Sequence, residues 1–505
     1  MRALLYLFFL AGSITFTVAQ SLVEITIDSA GRKKTIRTNR PDTLFARGNF
    51  MKGMKEFKMP HSTFSDVPIY KSKADSLKLA TAEMQLDGLG EGSTNIKKSD
   101  SLINLLKQLR STSIIGYRKN YFPNKSFFPF DSLRYVTNTK AIIQMSVSNI
   151  RTRKIPKEIL ACTNLQVLEI VNTSIQKLPR SLKKLPDLKI IRVYNNRSKR
   201  SLKLGKNANI QTLTIRGDKP GSLPTNYAKF INLRKLDLAD NTLTGFPKGA
   251  HKNKCLKEII LSGNKLTLLD DDIKTHLYLE KLDLGKNALT EIGASIRSFP
   301  SLKILKFNHN SITKVDAAIG SLKKLEQLSF YANQLKAFPS GVYELLALKE
   351  IDLYYNQIEK LDEQATYWQK LEVLYLAFNK LTSLPESLGK LQHLRELYLH
   401  NNRLSSLPEK IGNLQELRVL RINNNFLTVL PTSIYKLNGL ENMDLSHNSL
   451  TDVPEGILNF DQLNILALVS NPWTDETKRR LADFAKELRQ KNAIVHLNSF
   501  DENQQ

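Results

Sequence analysis

Cysteine is almost missing from this chain of 505 residues: Cys162 and Cys255 are the only two. That count excludes a disulfide-stapled fold and a thiolate-built zinc centre. The eight histidines are scattered, with no His-Glu-x-x-His and no paired Cys-x-x-Cys, so no metal site is expected. Acid is scarce in one half only. From Gln20 to Lys235 there are 41 Lys+Arg against 15 Asp+Glu, a balance of +26; from Leu236 to Gln505 there are 32 against 33, a balance of −1. The asymmetry admits two readings, a solvated basic surface or a surface for a polyanion near the N-terminal end. No apolar run of spanning length follows the first twenty residues, so no membrane span is expected in the mature chain. What is present suffices to fold. A 41% hydrophobic and 24% charged composition excludes disorder over most of the length, and the length itself calls for several domains or a repeat array.

The chain opens "MRALLYLFFLAGSITFTVAQS". Arg2 precedes an uncharged, mostly apolar run from Ala3 to Ala19, and Thr17 and Ala19 are small residues at cleavage positions, so residues 1–19 are expected to be a secretory signal cut after Ala19. The competing reading is an uncleaved membrane anchor, which Ser13, Thr15 and Thr17 would make a weak one. "LAGS", Leu10 to Ser13, resembles a lipoprotein lipobox, but Ser13 stands where the acylated cysteine must be. The expected location is secreted, periplasmic or cell-surface.

One phrase recurs. "LEVLYLAFNKLTSLP", "LRELYLHNNRLSSLP" and "LRVLRINNNFLTVLP" follow one another in steps of 23 residues. On the template L-x-x-L-x-L-x-x-N-x-L, clear copies begin at Leu233, Leu256, Leu279, Leu302, Leu325, Leu348, Leu371, Leu394, Leu417, Leu440 and Leu463. Degenerate copies at Ile142, Leu165, Leu188 and Ile210 bring the number to fifteen, with one step of 22 between Leu188 and Ile210. Alternation in L-x-x-L-x-L predicts a short parallel strand with its leucines inward. An asparagine in the following turn can satisfy backbone groups of its own and neighbouring coils. Prolines at 339, 385, 408, 431 and 454 stiffen a return limb too short for an α-helix, so extended or 3-10 segments are expected there. Cys162 and Cys255 fall four coils apart, roughly 19 Å at strand spacing, too far for a disulfide.

This pattern resembles the leucine-rich repeat family. "LPESLGKL", Leu384 to Leu391, is similar to the short 23-residue class found in Ras-pathway scaffolds, plant disease-resistance proteins and many bacterial surface proteins. The resemblance implies an α/β solenoid: a horseshoe with about fifteen parallel strands on the concave face and an irregular or 3-10 convex side. It covers residues 141–472. Residues 473–505 are expected to cap the array, with a helix over Thr474–Gln490 whose Leu481, Phe484, Ala485 and Leu488 share one face. A partner-binding helix is the competing reading there. Residues 20–140 are either one domain or a loose N-terminal cap. "LVEITID" and "KKTIRT" around "SAGR" predict a hairpin, Ser99–Ser111 a helix, Leu86–Thr94 a linker, and "YFPNKSFFPF" a cover over the first repeat.

Function must lie in the variable letters. Over four consecutive repeats the water-facing positions become Tyr331, then Tyr354 and Tyr355, then Tyr375 and Phe378, then Tyr398 and His400, flanked by Asn308, His309, Arg421 and Asn424. Clustered aromatics on a solvated sheet are expected to bind a protein partner; against this, tyrosine suits any strand. Neither Tyr354 nor Tyr375 is expected to point into the core, so replacing both by alanine should leave stability nearly untouched. A second candidate, for an anionic glycan, lipopolysaccharide or other polyanion, is the bulging return limb with Arg197, Lys199, Arg200, Lys203 and Lys206. No kinase or hydrolase pattern is present, so no catalytic residue and no cofactor are assigned. The expected activity is non-enzymatic binding of a protein, with an acidic polymer as the alternative partner and no nucleic acid. Nothing in the sequence indicates an oligomeric state.

Overall fold

The computed structural model divides into two compact units, residues 1–117 with 500–505, and residues 118–499. It describes residues 127–497, except 199, 218–222, 225–226 and 270–272, together with four strands in the first forty residues. Those four, Phe8–Leu10, Ser13–Thr17, Val23–Ile27 and Lys33–Arg37, form an antiparallel sheet in chain order. Its last two strands are the hairpin around "SAGR". The helix expected at Ser99–Ser111 and the linker expected at Leu86–Thr94 lie outside the described residues.

The larger unit is one long parallel sheet of seventeen strands. Fifteen are the repeats counted from sequence, from Gln144–Ser148 to Ile465–Ala467. The other two lie at the ends and have no leucine template. Phe128–Pro129 pairs with Gln144–Ser148, and Ile494–His496 pairs with Ile465–Ala467. Among the described residues these end strands have no second neighbour, so the sheet is open. Of the aromatic stretch expected to cover the first repeat, residues 121–126 lie outside the described residues; the rest meets that repeat through this end strand, with Phe127 buried beside it.

Each coil buries its leucines on the inside of the solenoid: Leu394, Leu397, Leu399 and Leu404 are all fully enclosed. Every such side chain contributes about 1.5–3 kcal/mol, but only when the next coil covers it. The return limbs carry 3-10 turns such as Glu386–Lys390 and Glu409–Asn413. The prolines at 339, 385, 408, 431 and 454 each stand immediately before one, where the missing N–H costs nothing. These turns stack closely. A Cβ on Gly412 would lie 2.1 Å from the Ser433 carbonyl oxygen, which is why glycine occupies that position.

The asparagine column forms a continuous hydrogen-bond ladder. Asn356 is typical: its Nδ2 donates to the carbonyls of Phe330 (3.0 Å) and Leu353 (3.1 Å), and its Oδ1 accepts from Leu335 N at 3.1 Å. At the C-terminus the helix Asp475–Gln490 buries Leu481, Phe484, Ala485 and Leu488. Thr474 caps it by accepting from Thr477 N at 3.1 Å. Trp473 is buried where the last coil turns into the helix. Cys162 and Cys255 are both free thiols.

Candidate functional site

The aromatic residues of the concave face form one connected cluster. Tyr354 is its centre, with ring centroids 5.7 Å from Phe378, 6.2 Å from Tyr331 and 6.2 Å from Tyr375. Its hydroxyl hydrogen-bonds His400 Nε2 two coils on. Tyr355 and Phe378 stack at 4.1 Å, and Tyr375 and Tyr398 at 4.8 Å. His309, placed at the rim from sequence, joins the cluster edge-on to Tyr331 at 4.9 Å. All seven residues singled out by sequence are thus brought together.

They are not equally accessible. Tyr355 is 44% exposed, whereas Tyr375 is 6% and Tyr398 3% exposed. The expectations that all seven face water, and that Tyr375 can be replaced with stability nearly untouched, are therefore corrected. Tyr375 and Tyr398 sit between the two inward leucines of their strands, in register with Asp352 and Arg421 on either side. Side chains of adjacent strands close over one another there and form a floor. Tyr331, Tyr354, Phe378 and His400 are half-buried above it.

Backbone geometry marks the upper layer. The residue before each ladder asparagine, and the residue at the same register in the coils upstream, is left-handed, with φ between 50° and 71° along the array. Elsewhere that column is largely asparagine, aspartate or glycine, such as Asn172, Asp240, Gly263 and Asn424. At the aromatic zone it is Tyr355 and Phe378, both with φ 54°. A bulky residue in this conformation costs roughly 1–2 kcal/mol, so the backbone conformation by itself favours asparagine there.

The floor also holds a carboxylate that the sequence did not suggest. Asp352 is buried, accepting from Ser329 Oγ at 2.7 Å and from Tyr354 N at 3.1 Å. Burial pushes its carboxyl up to about 6, against the two hydrogen bonds that favour the charged form. Burial also holds His400 down to about 3, helped by the nearby charge of Arg421. The tyrosine hydroxyls at 354, 375 and 398 are raised, chiefly by burial. At neutral pH the tyrosines and His400 are uncharged, over a floor in which Asp352 is still mostly ionised. The 23-residue register would have found Asp352, which occupies the column of Tyr375 and Tyr398.

Beside the strands, coil to coil, run ladders of alternating charge. Lys303 meets Glu280 at 3.2 Å, Lys349 meets Glu326 at 2.9 Å, and Arg418 meets Glu441 at 3.2 Å. Each pair is partly solvated and weak. Among the described residues no group of three His, Cys, Asp or Glu could hold a metal ion.

The second sequence candidate is less unified. Arg197, Arg200, Lys203 and Lys206 are exposed, and Lys199 lies outside the described residues. The limb expected to bulge is partly ordered into a ladder, because Lys203–Leu204 pairs in parallel with Lys177–Leu178. Two arginines missed by sequence reading, Arg151 and Arg153, lie near Arg197, and the three line one open cleft with Asn149, Asn172 and Ser174.

Two family profiles match the chain, one described as a leucine-rich repeat region over residues 365–502 and one as a leucine rich repeat over residues 278–335. Comparison with curated proteins returns no match. Among solved structures, the chain is similar to a leucine-rich repeat protein of Leptospira interrogans, with 26% identity and a TM-score of 0.58 over 73% of this chain and 99% of that one. It is similar in fold to the plant peptide hormone receptor RGFR1, solved with RGF2, at 21% identity and TM-score 0.50 over 65% of this chain and 58% of that one. It is also similar in fold to a chain of the Drosophila Toll–Spatzle complex, at 18% identity and TM-score 0.57 over 67% and 48% of the respective chains.

Proposed function

The chain belongs to the leucine-rich repeat family, and on that premise we propose that it is an exported, non-enzymatic module that docks a protein partner on the concave patch around Tyr354, Tyr355 and Phe378. The carrying observation is the pair Tyr355 and Phe378. Two stacked aromatic rings occupy left-handed positions where asparagine would be cheaper, and one of them is substantially exposed. Strain kept against local preference is a mark of function. The patch is pre-organised, since its floor of Tyr375 and Tyr398 is held from below and its rings are wedged by neighbours. Rigid aromatics lose little side-chain entropy on binding. The seven residues span four strands, roughly 15 Å at strand spacing, the scale of an interface centre. Solved structures similar in fold include a plant receptor in complex with RGF2 and the Toll–Spatzle complex. The leader from Ala3 to Ala19 supports export, and a mature chain beginning at Gln20 is the expected result of N-terminal sequencing.

The test uses the double variant Tyr355→Asn, Phe378→Asn, in which asparagine suits the backbone. Against a partner captured with the full chain, affinity is expected to fall by about 2 kcal/mol or more, with the unfolding midpoint nearly unchanged. Full affinity in the folded variant would remove the patch from consideration.

A further inference from the structure

We propose that Arg151, Arg153 and Arg197 form a binding site for a phosphate or sulfate ester carried on a saccharide. This site is separate from the concave aromatic patch and does not rest on that reading. The repeat register builds it. Steps of 23 residues place Arg151, Ser174 and Arg197 at the same point of three successive coils. Two residues before each stand Asn149, Asn172 and Asn195, left-handed at φ 59°, 54° and 50°. Their amides join, Asn172 Nδ2 donating to Asn149 Oδ1 at 2.9 Å and Asn195 Nδ2 to Asn172 Oδ1 at 3.3 Å. Main-chain bonds lock the coils just beyond, from Ser174 N to Thr152 O (3.2 Å) and from Arg197 N to Thr173 O (2.7 Å).

At about 4.8 Å per coil, the backbones of Arg151 and Arg197 stand roughly 10 Å apart with Ser174 between them. Two guanidinium arms can close that gap on one oxyanion, and Arg153 adds a third from two residues along the first coil. The open cleft they line, of about 620 Å³, has no acidic residue in its wall. Among the described residues none of the three arginines makes an ion pair. Arg216, by contrast, is spent on Asp237 in a two-pronged pair at 3.1 and 2.6 Å. Three unneutralised guanidiniums around one cleft repel one another unless an anion enters, and their planar forks match the oxygens of a phosphate or sulfate ester. The neutral lining residues Asn149, Asn172 and Ser174 are hydrogen-bonding groups suited to sugar hydroxyls. The wall offers no apolar side chain to enter a bilayer, which favours a saccharide over a lipid headgroup.

The experiment titrates the full chain with a heparin-type sulfated polysaccharide over a salt series, alongside phosphatidylglycerol vesicles. Arg151→Ala with Arg197→Ala is compared with Lys203→Ala and Lys206→Ala, which removes equal charge outside the cleft. The expected result is salt-sensitive polysaccharide binding, weakened about tenfold or more by the arginine pair and little by the lysine pair. Equal losses from both pairs would overturn the site in favour of a general basic surface. Vesicle binding as tight as polysaccharide binding, and lost with the same two arginines, would overturn the saccharide assignment. Absence of polysaccharide binding by the unsubstituted chain would overturn the proposal altogether.

Discussion

Asn356 donates its side-chain amide to the carbonyl of Phe330, 26 residues back, at 3.0 Å, and so ties two coils together where no strand ladder reaches. The same side chain serves Leu353 O and Leu335 N. Asn356→Ala leaves these buried groups without partners and is expected to cost about 1–3 kcal/mol. Urea unfolding at constant m-value measures it; an unchanged midpoint would show that the turn is held by other bonds.

Tyr375 and Tyr355 should separate floor from surface. Tyr375→Ala removes a buried ring stacked on Tyr398 and opens a gap between coils, at an expected cost of about 2–4 kcal/mol. Tyr355→Asn removes a largely exposed ring and relieves its left-handed backbone, so its stability should stay within about 1 kcal/mol of the parent. Equal destabilisation by both would contradict the two-layer patch.

Gly412 is expected to tolerate no side chain. The methyl of Gly412→Ala would fall 2.1 Å from the Ser433 carbonyl oxygen, a backbone atom of the next coil. Separating the two turns should cost about 1–3 kcal/mol, seen as a lowered Tm. An Ala variant as stable as the parent would mean that the return limbs can slide apart freely.

His276 makes stability depend on pH. It is buried, stacked on Phe299 at 5.2 Å, and burial holds its imidazole down to about 4 from an ordinary 6.5. Between those values the unfolded chain takes up the proton and the folded chain does not. Its contribution is therefore whole above pH 6.5 and is lost as pH falls toward 4. His400 acts in the same sense. Asp352, raised to about 6, acts oppositely, since there the folded state protonates first and gains as pH falls below 6. Comparing the parent with His276→Phe isolates one group. Between pH 7 and pH 5 the parent should lose about 2 kcal/mol more than the variant. Parallel pH profiles would show that His276 titrates normally.

The sequence by itself determined the period, the inward leucines, the asparagine ladder, the proline positions before the 3-10 turns and the buried face of the capping helix. These follow from local rules repeated in every coil, so the 23-residue period reports them many times over. It also brought the seven aromatic residues to one face, because register alone sets which positions share a column. Tertiary structure decided the rest. The end strands Phe128–Pro129 and Ile494–His496 carry no template and are strands because the sheet's open edges need partners. Tyr375 and Tyr398 became a buried floor, while Tyr355 stayed open, because burial on the concave face is set by side chains of neighbouring coils rather than by the residue's own position. Asp352 rose toward neutral pH, and Arg151, Ser174 and Arg197 came to share one cleft, for the same reason. Periodicity says which residues lie side by side, and only packing says how much water remains between them.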